Sequence, residues 1–252
     1  MKMMEIGLFP LPTPIVKIGD DVSEILISSA EKNVGGFKEG DVLVVTSKIV
    51  STAGGRVIDL TKVSPSEFAC SIAKLIDKPP SHVEVILREA RSIIRMRQKM
   101  IITETKHGFI CANSGVDQSN VEGEKCAVTL PKDPDKNARD IRKAIKKRCD
   151  VDVAVIISDT FGRPFRQGVL NVAVGCSGLI PVIDLRGKED LFGYKLQSTE
   201  IAVADELAAT AGLLMGQTDA RIPAVIIRGY RYKKGEIPAK RIIREPETDI
   251  FR

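Results

Sequence analysis

Short apolar runs and longer amphipathic stretches follow one another along this chain without a fixed rhythm. Residues 41–50, DVLVVTSKIV, read as a buried strand whose far end carries Thr46, Ser47 and Lys48. A second run, VDVAVIISDTFGRPFRQG over residues 151–168, opens with β-branched residues and predicts another buried strand to residue 157. It stops at the polar triplet Ser158, Asp159 and Thr160, followed by Gly162 and Pro164. A polar triplet at the C-terminal edge of a buried strand is a common ligand position. Residues 169–176, 179–185 and 223–228 predict further strands. Residues 101–105 and 109–113 flank Lys106-His107-Gly108 and predict a hairpin. Residues 5–16 are broken by Pro10, Pro12 and Pro14, which suits an edge strand or a loop.

The helical signals are capping boxes. Asp21 with Glu24 opens a helix to about residue 32, which Gly35-Gly36 breaks. Ser64, Pro65 and Glu67 open a second, to about residue 77. Ser81 and Glu84 open a third, to about residue 96. A basic helix is expected over 138–148, and a strong helix former over 201–215 that Gly216 ends. A polar loop over 114–123 holds Asp117, Ser119, Asn120 and Glu122, and residues 190–197 predict a loop or hairpin. The mixture points to an α/β or α+β fold, one domain over residues 1–252 with room for two subdomains. The charged stretch 230–252 is expected to be a partly mobile tail.

Composition narrows the function only by exclusion. A net charge of +5 is too mild to argue for nucleic acid, and with 4% aromatics and no Trp, base-stacking platforms are not expected. No apolar run has the length of a membrane span, and the first residues lack a signal-peptide core, so a cytoplasmic protein is expected. The five cysteines are scattered without a Cys-x-x-Cys pair, which suggests neither a zinc site nor a disulfide framework. Neither G-x-G-x-x-G after a strand nor a Walker loop occurs.

The candidate chemistry lies in four polar clusters, at residues 46–48, 113–120, 158–160 and 216–219. If they converge, they supply carboxylates, hydroxyls and amides, the hard donors that suit Mg²⁺ or Mn²⁺ beside phosphate. Arg163 and Arg166 add guanidinium forks for a substrate phosphate or carboxylate. Their bland alternatives are two solvated arginines at a strand end, or an ion pair with a nearby acid such as Asp184 or Asp190. Lys143, Lys146, Lys147 and Arg148 on the basic helix read first as a solvated face and second as a phosphate patch.

The runs DVLVVTSKIVS, NSGVDQSNVEG, ISDTFGRPFRQG, VADELA and LLMGQ, in this order within residues 9–229, resemble the coenzyme F420-0:L-glutamate ligase family. The resemblance implies a two-subdomain α/β fold, neither Rossmann nor P-loop, in an intertwined homodimer. It implies GTP-dependent joining of L-glutamate to coenzyme F420-0 through an acyl phosphate, with two Mg²⁺ or Mn²⁺ ions per site and K⁺ in support. The implied metal residues are Asp117 and Asp159 for one ion, with Thr160 and Gln217 for the second. The implied guanine-nucleotide contacts are Thr13, Pro14, Ile15, Val16, Ser47, Lys48, the position of Thr52, Asn120, and the loop of Met215, Gly216, Gln217, Thr218, Asp219, Ala220, Arg221 and Ile222. No catalytic acid or base is implied.

One departure matters. The family's run SKAEGR reads STAGGR here, so Thr52 stands where relatives carry a nucleotide-facing lysine. Lys48 lies four residues earlier and, on an extended strand, shares a face with position 52, so it is expected to take the cation role. Rival readings are a related ligase acting on another carboxylate, a silent binding module, and a nucleic-acid binder resting only on the net charge of +5 and the basic helix.

Overall fold

The computed structural model describes residues 5–120, 123 and 125–250. Its strands and helices, in chain order, are β1 (Gly7–Leu11), α1 (Val22–Val34), β2 (Val42–Thr46), α2 (Ser47–Ala53), β3 (Val57–Asp59), α3 (Glu67–Ile76), α4 (Pro80–Glu89), β4 (Ala90–Arg97), β5 (Met100–Thr105), β6 (Ile110–Ala112), β7 (Cys126–Val128), α5 (Pro134–Cys149), β8 (Ala154–Arg163), β9 (Arg166–Ser177), β10 (Ile183–Asp184), β11 (Glu200–Ile201), α6 (Val203–Met215) and β12 (Ala224–Arg228). The mixed α/β expectation is borne out.

The central sheet has the order β1-β12-β2-β8-β9. Only β2 and β8 run parallel in it. Where they pair, β2 and the first four residues of β8 are apolar at nearly every position because both faces are covered. On one face Leu43, Val45, Val155, Ile157 and Ile226 pack against α1 and α5. On the other, Val42, Val44, Ala154, Ile156 and Val225 pack against α6. The period-2 alternation of a strand makes two cores from one run of residues. A third core, of Leu60, Ile72, Ile76, Val83, Ile86 and Ile101, lies among α3, α4 and the small sheet β4-β5-β6.

Several boundaries differ from the expectations above. The strand expected over 41–50 ends at Thr46, and Ser47 begins a helix. The β-branched run misled, because helical spacing is what turns Ser47, Val50 and Ser51 inward together. The capping box at Ser64 is not used. Ser66 caps α3 instead, its Oγ accepting from Ala69 N at 3.1 Å. Ser81 does not cap either, since α4 starts at Pro80, and Glu84 reaches back to accept from Ser66 N and Oγ. The helix expected to residue 96 stops at Glu89, and residues 90–97 pair with β5 as β4. Nothing local marks that change. Partner availability across the chain overrides a helical pattern.

The basic helix is longer than expected, starting at Pro134 with Asp133 accepting from Lys136 N at 2.8 Å. Of residues 179–185, only Ile183–Asp184 form a strand. The triplet 158–160 does not end its strand: β8 runs on to Arg163, turns at Pro164-Phe165 and returns as β9. The tail also docks. Ala239 is fully buried, and Asp135 accepts from both Cys176 N and Ala239 N.

A buried ion pair joins β12 to the start of β2 at one end of the central sheet. Arg228, at the end of β12, donates to both oxygens of Asp41 at 2.8 Å, and Asp41 is 1% exposed. The guanidinium carbon also stands 5.0 Å from the Phe9 ring centroid. Removing one partner strands the other charge. Arg228→Met is therefore expected to lower unfolding free energy by about 3–5 kcal/mol, measured by urea denaturation. A loss under about 1 kcal/mol would show that water reaches Asp41.

Candidate active site

The site grows from one end of the central sheet. β2 and β8 are in parallel register to Thr46↔Ser158, where β2 stops. The next residue on each chain is polar, and Ser47 Oγ donates to Asp159 Oδ1 at 2.9 Å. At the same point β8 carries a register shift against β9, between Ile157 and Ser158. Such a bulge re-aims the side chains that follow it.

Asp117 arrives from the third core. Asn113, Ser114 and Gly115 are all left-handed, with φ of 55°, 55° and 69°. Two non-glycine residues there cost about 1–3 kcal/mol each. The surroundings fix them: Ser114 Oγ sits 2.7 Å from Thr103 Oγ1 and donates to Ile86 O at 2.9 Å. A Cβ on Gly115 would lie 2.8 Å from Leu130 Cγ. Beyond this turn, Asp117 exchanges backbone hydrogen bonds with Val128. Its carboxylate accepts from Ser119 N and Ser119 Oγ at 2.8 Å, and from Lys48 Nζ at 2.7 Å.

Lys48 therefore joins the two halves. Its ammonium also donates to Ser119 O at 2.7 Å and Ser119 Oγ at 2.9 Å. An ammonium has three donors, and these contacts use all of them. Lys48 and Thr52 do share a face, but as i and i+4 of α2, not as alternate residues of a strand.

The two carboxyls are pushed apart. Burial pushes Asp117 up, but Lys48 and the Ser119 donors outweigh it and hold the group below its ordinary value. Burial pushes Asp159 up to about 6; the Ser47 hydroxyl and the Thr160 amide oppose this, while the charge on Asp117 adds to it. The Cys111 thiol, buried and near Asp159, is pushed up to about 12 and is inert at neutral pH. His82 is buried near Asp117, with Nε2 lacking a partner among the described residues. Desolvation, then Lys78, lowers its pKa against the pull of Asp117.

The four expected metal residues do not all come together. Asp117 and Asp159 sit together with Ser47 and Lys48. Thr160 turns the other way, as a neighbour on a strand must, and its Oγ1 donates to Asn171 Oδ1 at 3.3 Å. Asn171 Nδ2 in turn meets Met215 Sδ at 3.3 Å, at the end of α6 just before Gln217. Gln217 is exposed. Among the described residues no three His, Cys, Asp or Glu side chains form a group that could hold a metal.

The expected nucleotide residues gather at the same end of the sheet. Thr13 N donates to Arg221 O at 3.2 Å, and Thr46 N donates to Pro223 O at 2.8 Å. The segment 13–16, the loop 215–222 and the Ser47–Lys48 helix start are thus neighbours. Val16 and Met215 are buried in the core, while Ile15 is 64% exposed. Asn120 is left-handed, three residues after Asp117. Glu122 lies outside the described residues.

Arg163 and Arg166 pair across the tip of the β8–β9 hairpin. Neither Asp184 nor Asp190 takes them, since Asp184 pairs with Arg186, and Asp190 accepts from Phe192 N and Tyr194 N, which leaves both arginines at a solvated hairpin tip. Sequence reading missed Asn171, although a lone amide in an apolar strand was the available signal. His107, expected in a hairpin turn, is there, with Nε2 2.9 Å from Pro131 O.

Comparison with known proteins decides the family. The model described as F420-0:Gamma-glutamyl ligase matches residues 10–229. The chain belongs to this family. Among curated relatives, a protein of Methanothermobacter thermautotrophicus named Coenzyme F420:L-glutamate ligase is 46% identical over 241 residues, 95% of each chain. Proteins of the same name from Methanopyrus kandleri and Archaeoglobus fulgidus are 46% and 40% identical, over 96% and 99% of this chain and 96% and 97% of their own. The span matched to the F420-0:Gamma-glutamyl ligase family holds both site carboxylates and runs from β1 to the residue after β12.

Two outcomes follow from the geometry. Because the Asp159 pKa is raised from 3.8 to about 6 on folding, the protonated group contributes stability that is full below about 4 and lost as pH rises through 6. Asp159→Asn should therefore raise the Tm of the chain in EDTA by about 2–4 °C at pH 8 and change it little at pH 4. An equal shift at both pH values would show that Asp159 titrates normally. Separately, Lys48→Met should speed amide exchange at Ser119 by about tenfold through loss of charge-assisted bonds, and Thr52→Ala should not. Equal exchange in both variants would remove Lys48 as the clamp of this loop.

Proposed function

We propose that this chain joins L-glutamate to coenzyme F420-0 through an amide bond, with GTP as the energy source, giving F420-1 and then longer γ-linked products. The observation that carries the reading is the pairing of Asp159 and Asp117 around Ser47 and Lys48 at the sheet end where the segments 13–16 and 215–222 meet. The substrate carboxylate attacks the γ-phosphorus of GTP, GDP leaves, and an acyl phosphate forms. The glutamate amine then attacks the acyl carbon, loses a proton, and expels inorganic phosphate.

The donor set fits hard divalent cations. Asp159 is a desolvated carboxylate whose proton a cation would displace, and the remaining donors are oxygens. Asp117 and Asp159 would hold one Mg²⁺ or Mn²⁺ ion, and Thr160 with Gln217 a second, with K⁺ assisting. Gln217 is neutral and binds such an ion more weakly than a carboxylate would. The bound ions supply charge neutralisation at the phosphates. The chain's own residues do the positioning. Ser47 orients Asp159, and Lys48 sets the height of the 117–120 loop. Arg163 and Arg166, without ion-pair partners among the described residues, are free to meet a substrate carboxylate or phosphate.

The proposed assembly is a homodimer. Phe165 is 91% exposed at one hairpin tip, and Leu191 and Phe192 are 97% and 95% exposed at another. Large apolar side chains so exposed favour burial against a second copy. Five free cysteines suit the reducing cytoplasm. No helix among the described residues is long and apolar enough to cross a membrane.

The test is phosphate release with product mass. Release should require F420-0, L-glutamate, GTP and a divalent cation together, and the product should gain one glutamyl residue. Replacing GTP by ATP in a parallel arm reads the effect of Thr52. Asp159→Asn should lower turnover on the order of a hundredfold or more with the fold retained. Phosphate release that ignores the acceptor, or a variant that turns over like the parent, would remove the ligase reading from this site.

A further inference from the structure

Helix α5 puts four cations on one face. Arg139, Arg142, Lys143 and Lys146 stand at i, i+3, i+4 and i+7. They line one wall of a cavity of about 550 Å³, with Ser177 and Pro238 on the other side. That volume is in the range of small-molecule sites. Two carboxylates, Asp152 and Glu236, share the cavity with the four cations.

The cavity already holds one carboxylate in a complete donor set. Glu236, from the tail, accepts from Arg142 Nη1, from Ser177 Oγ at 3.0 Å and from Gly178 N at 3.1 Å. A guanidinium, a hydroxyl and a backbone amide around one oxyanion are a charge-assisted anion site. Arg142 is itself fixed by Asp152 Oδ1 at 2.7 Å and Val153 O at 3.0 Å, so its fork is pre-set. Not all of the positive charge is used. Lys143 has no ion pair among the described residues, and Arg139 reaches Asp133 only at 3.9 Å.

This place is not the site described above. Cys176, in the cavity wall, is four residues along β9 from Val172, which pairs with Asp159. At strand rise that is roughly 13 Å. The cavity also sits at the start of β8, whereas Asp159 lies past the end of β2.

We infer that this cavity is a second anion site, taking a small molecule that bears a phosphate or carboxylate group between Lys143 and Arg139. Its concave shape favours a small ligand over a nucleic-acid backbone, which a convex basic stripe would suit better. The reading is independent of the ligase proposal.

Isothermal titration of the full chain with inorganic phosphate, and separately with L-glutamate, tests it. The comparison is a chain carrying Arg139→Met and Lys143→Met together. Neither residue touches Asp117, Asp159 or the 215–222 loop, so binding at that end stays as an internal control. The expected result is that one of the two anions binds the parent and binds the double variant about tenfold or more weakly, as loss of a charge-assisted contact implies. Weakening of phosphate alone assigns a phosphorylated ligand, and weakening of glutamate alone a carboxylate one. Lys143→Glu, a single exposed change, gives the same reading if the double variant folds poorly. The inference is overturned if neither anion binds the parent at millimolar concentration, or if parent and variants bind both alike.

Discussion

The site depends on where two parallel strands stop matching. β2 and β8 are locked in register by apolar side chains on both faces, up to Thr46 and Ser158. A slip of one residue would turn every one of those side chains to the wrong core. That fixed register brings Ser47 and Asp159 into contact, although 112 residues separate them in the chain. β2 then becomes a helix and β8 continues past a bulge, so the polar residues of each are left facing the gap between them. Hydrophobic burial supplies the precision of a polar contact.

Charge placement follows from this frame. Asp117 and Asp159 approach each other, and one cation, Lys48, is given wholly to Asp117 and its loop. Asp159 keeps a hydroxyl and an amide, and desolvation raises its pKa. The result is a fixed anion beside a group that ionises near neutral pH, a separation typical of working sites. Such a pair takes up positive charge readily, because the unpaired member gains more from a cation than the paired one.

The strained turn at residues 113–115 plays the corresponding part for the third core. Left-handed backbone at Asn113 and Ser114 persists because Thr103, Ile86 and Leu130 hold it. Strain next to a site residue, held by packing on the far side, ties the geometry of Asp117 to the small sheet and α4. The tail is bound in a similar way at the opposite end, where Asp135 and Arg142 of α5 take the backbone of Ala239 and the carboxylate of Glu236.

The sequence by itself determined the class of fold, the buried strands around residues 42–46 and 154–157, and the caps that follow local rules, such as Asp21 on α1. These are set by short-range patterning, which the chain carries in each segment. It also marked the polar clusters around Ser47, Lys48, Asp117 and Asp159 beside apolar runs, and the family resemblance of those runs singled out the residues within them. Tertiary structure alone decided the rest. Residues 47–53 and 90–97 took states opposite to their local pattern, since pairing partners and core shape outweigh propensity there. Ser66 rather than Ser64 capped α3 because Glu84 stood ready to hold it. Thr160 and Asp159, adjacent in sequence, were sent to opposite faces of β8 by the pleat. The claim of Asp117 on Lys48 could not be read from either segment, because an ion pair across 69 residues exists only once both are folded against the same sheet end.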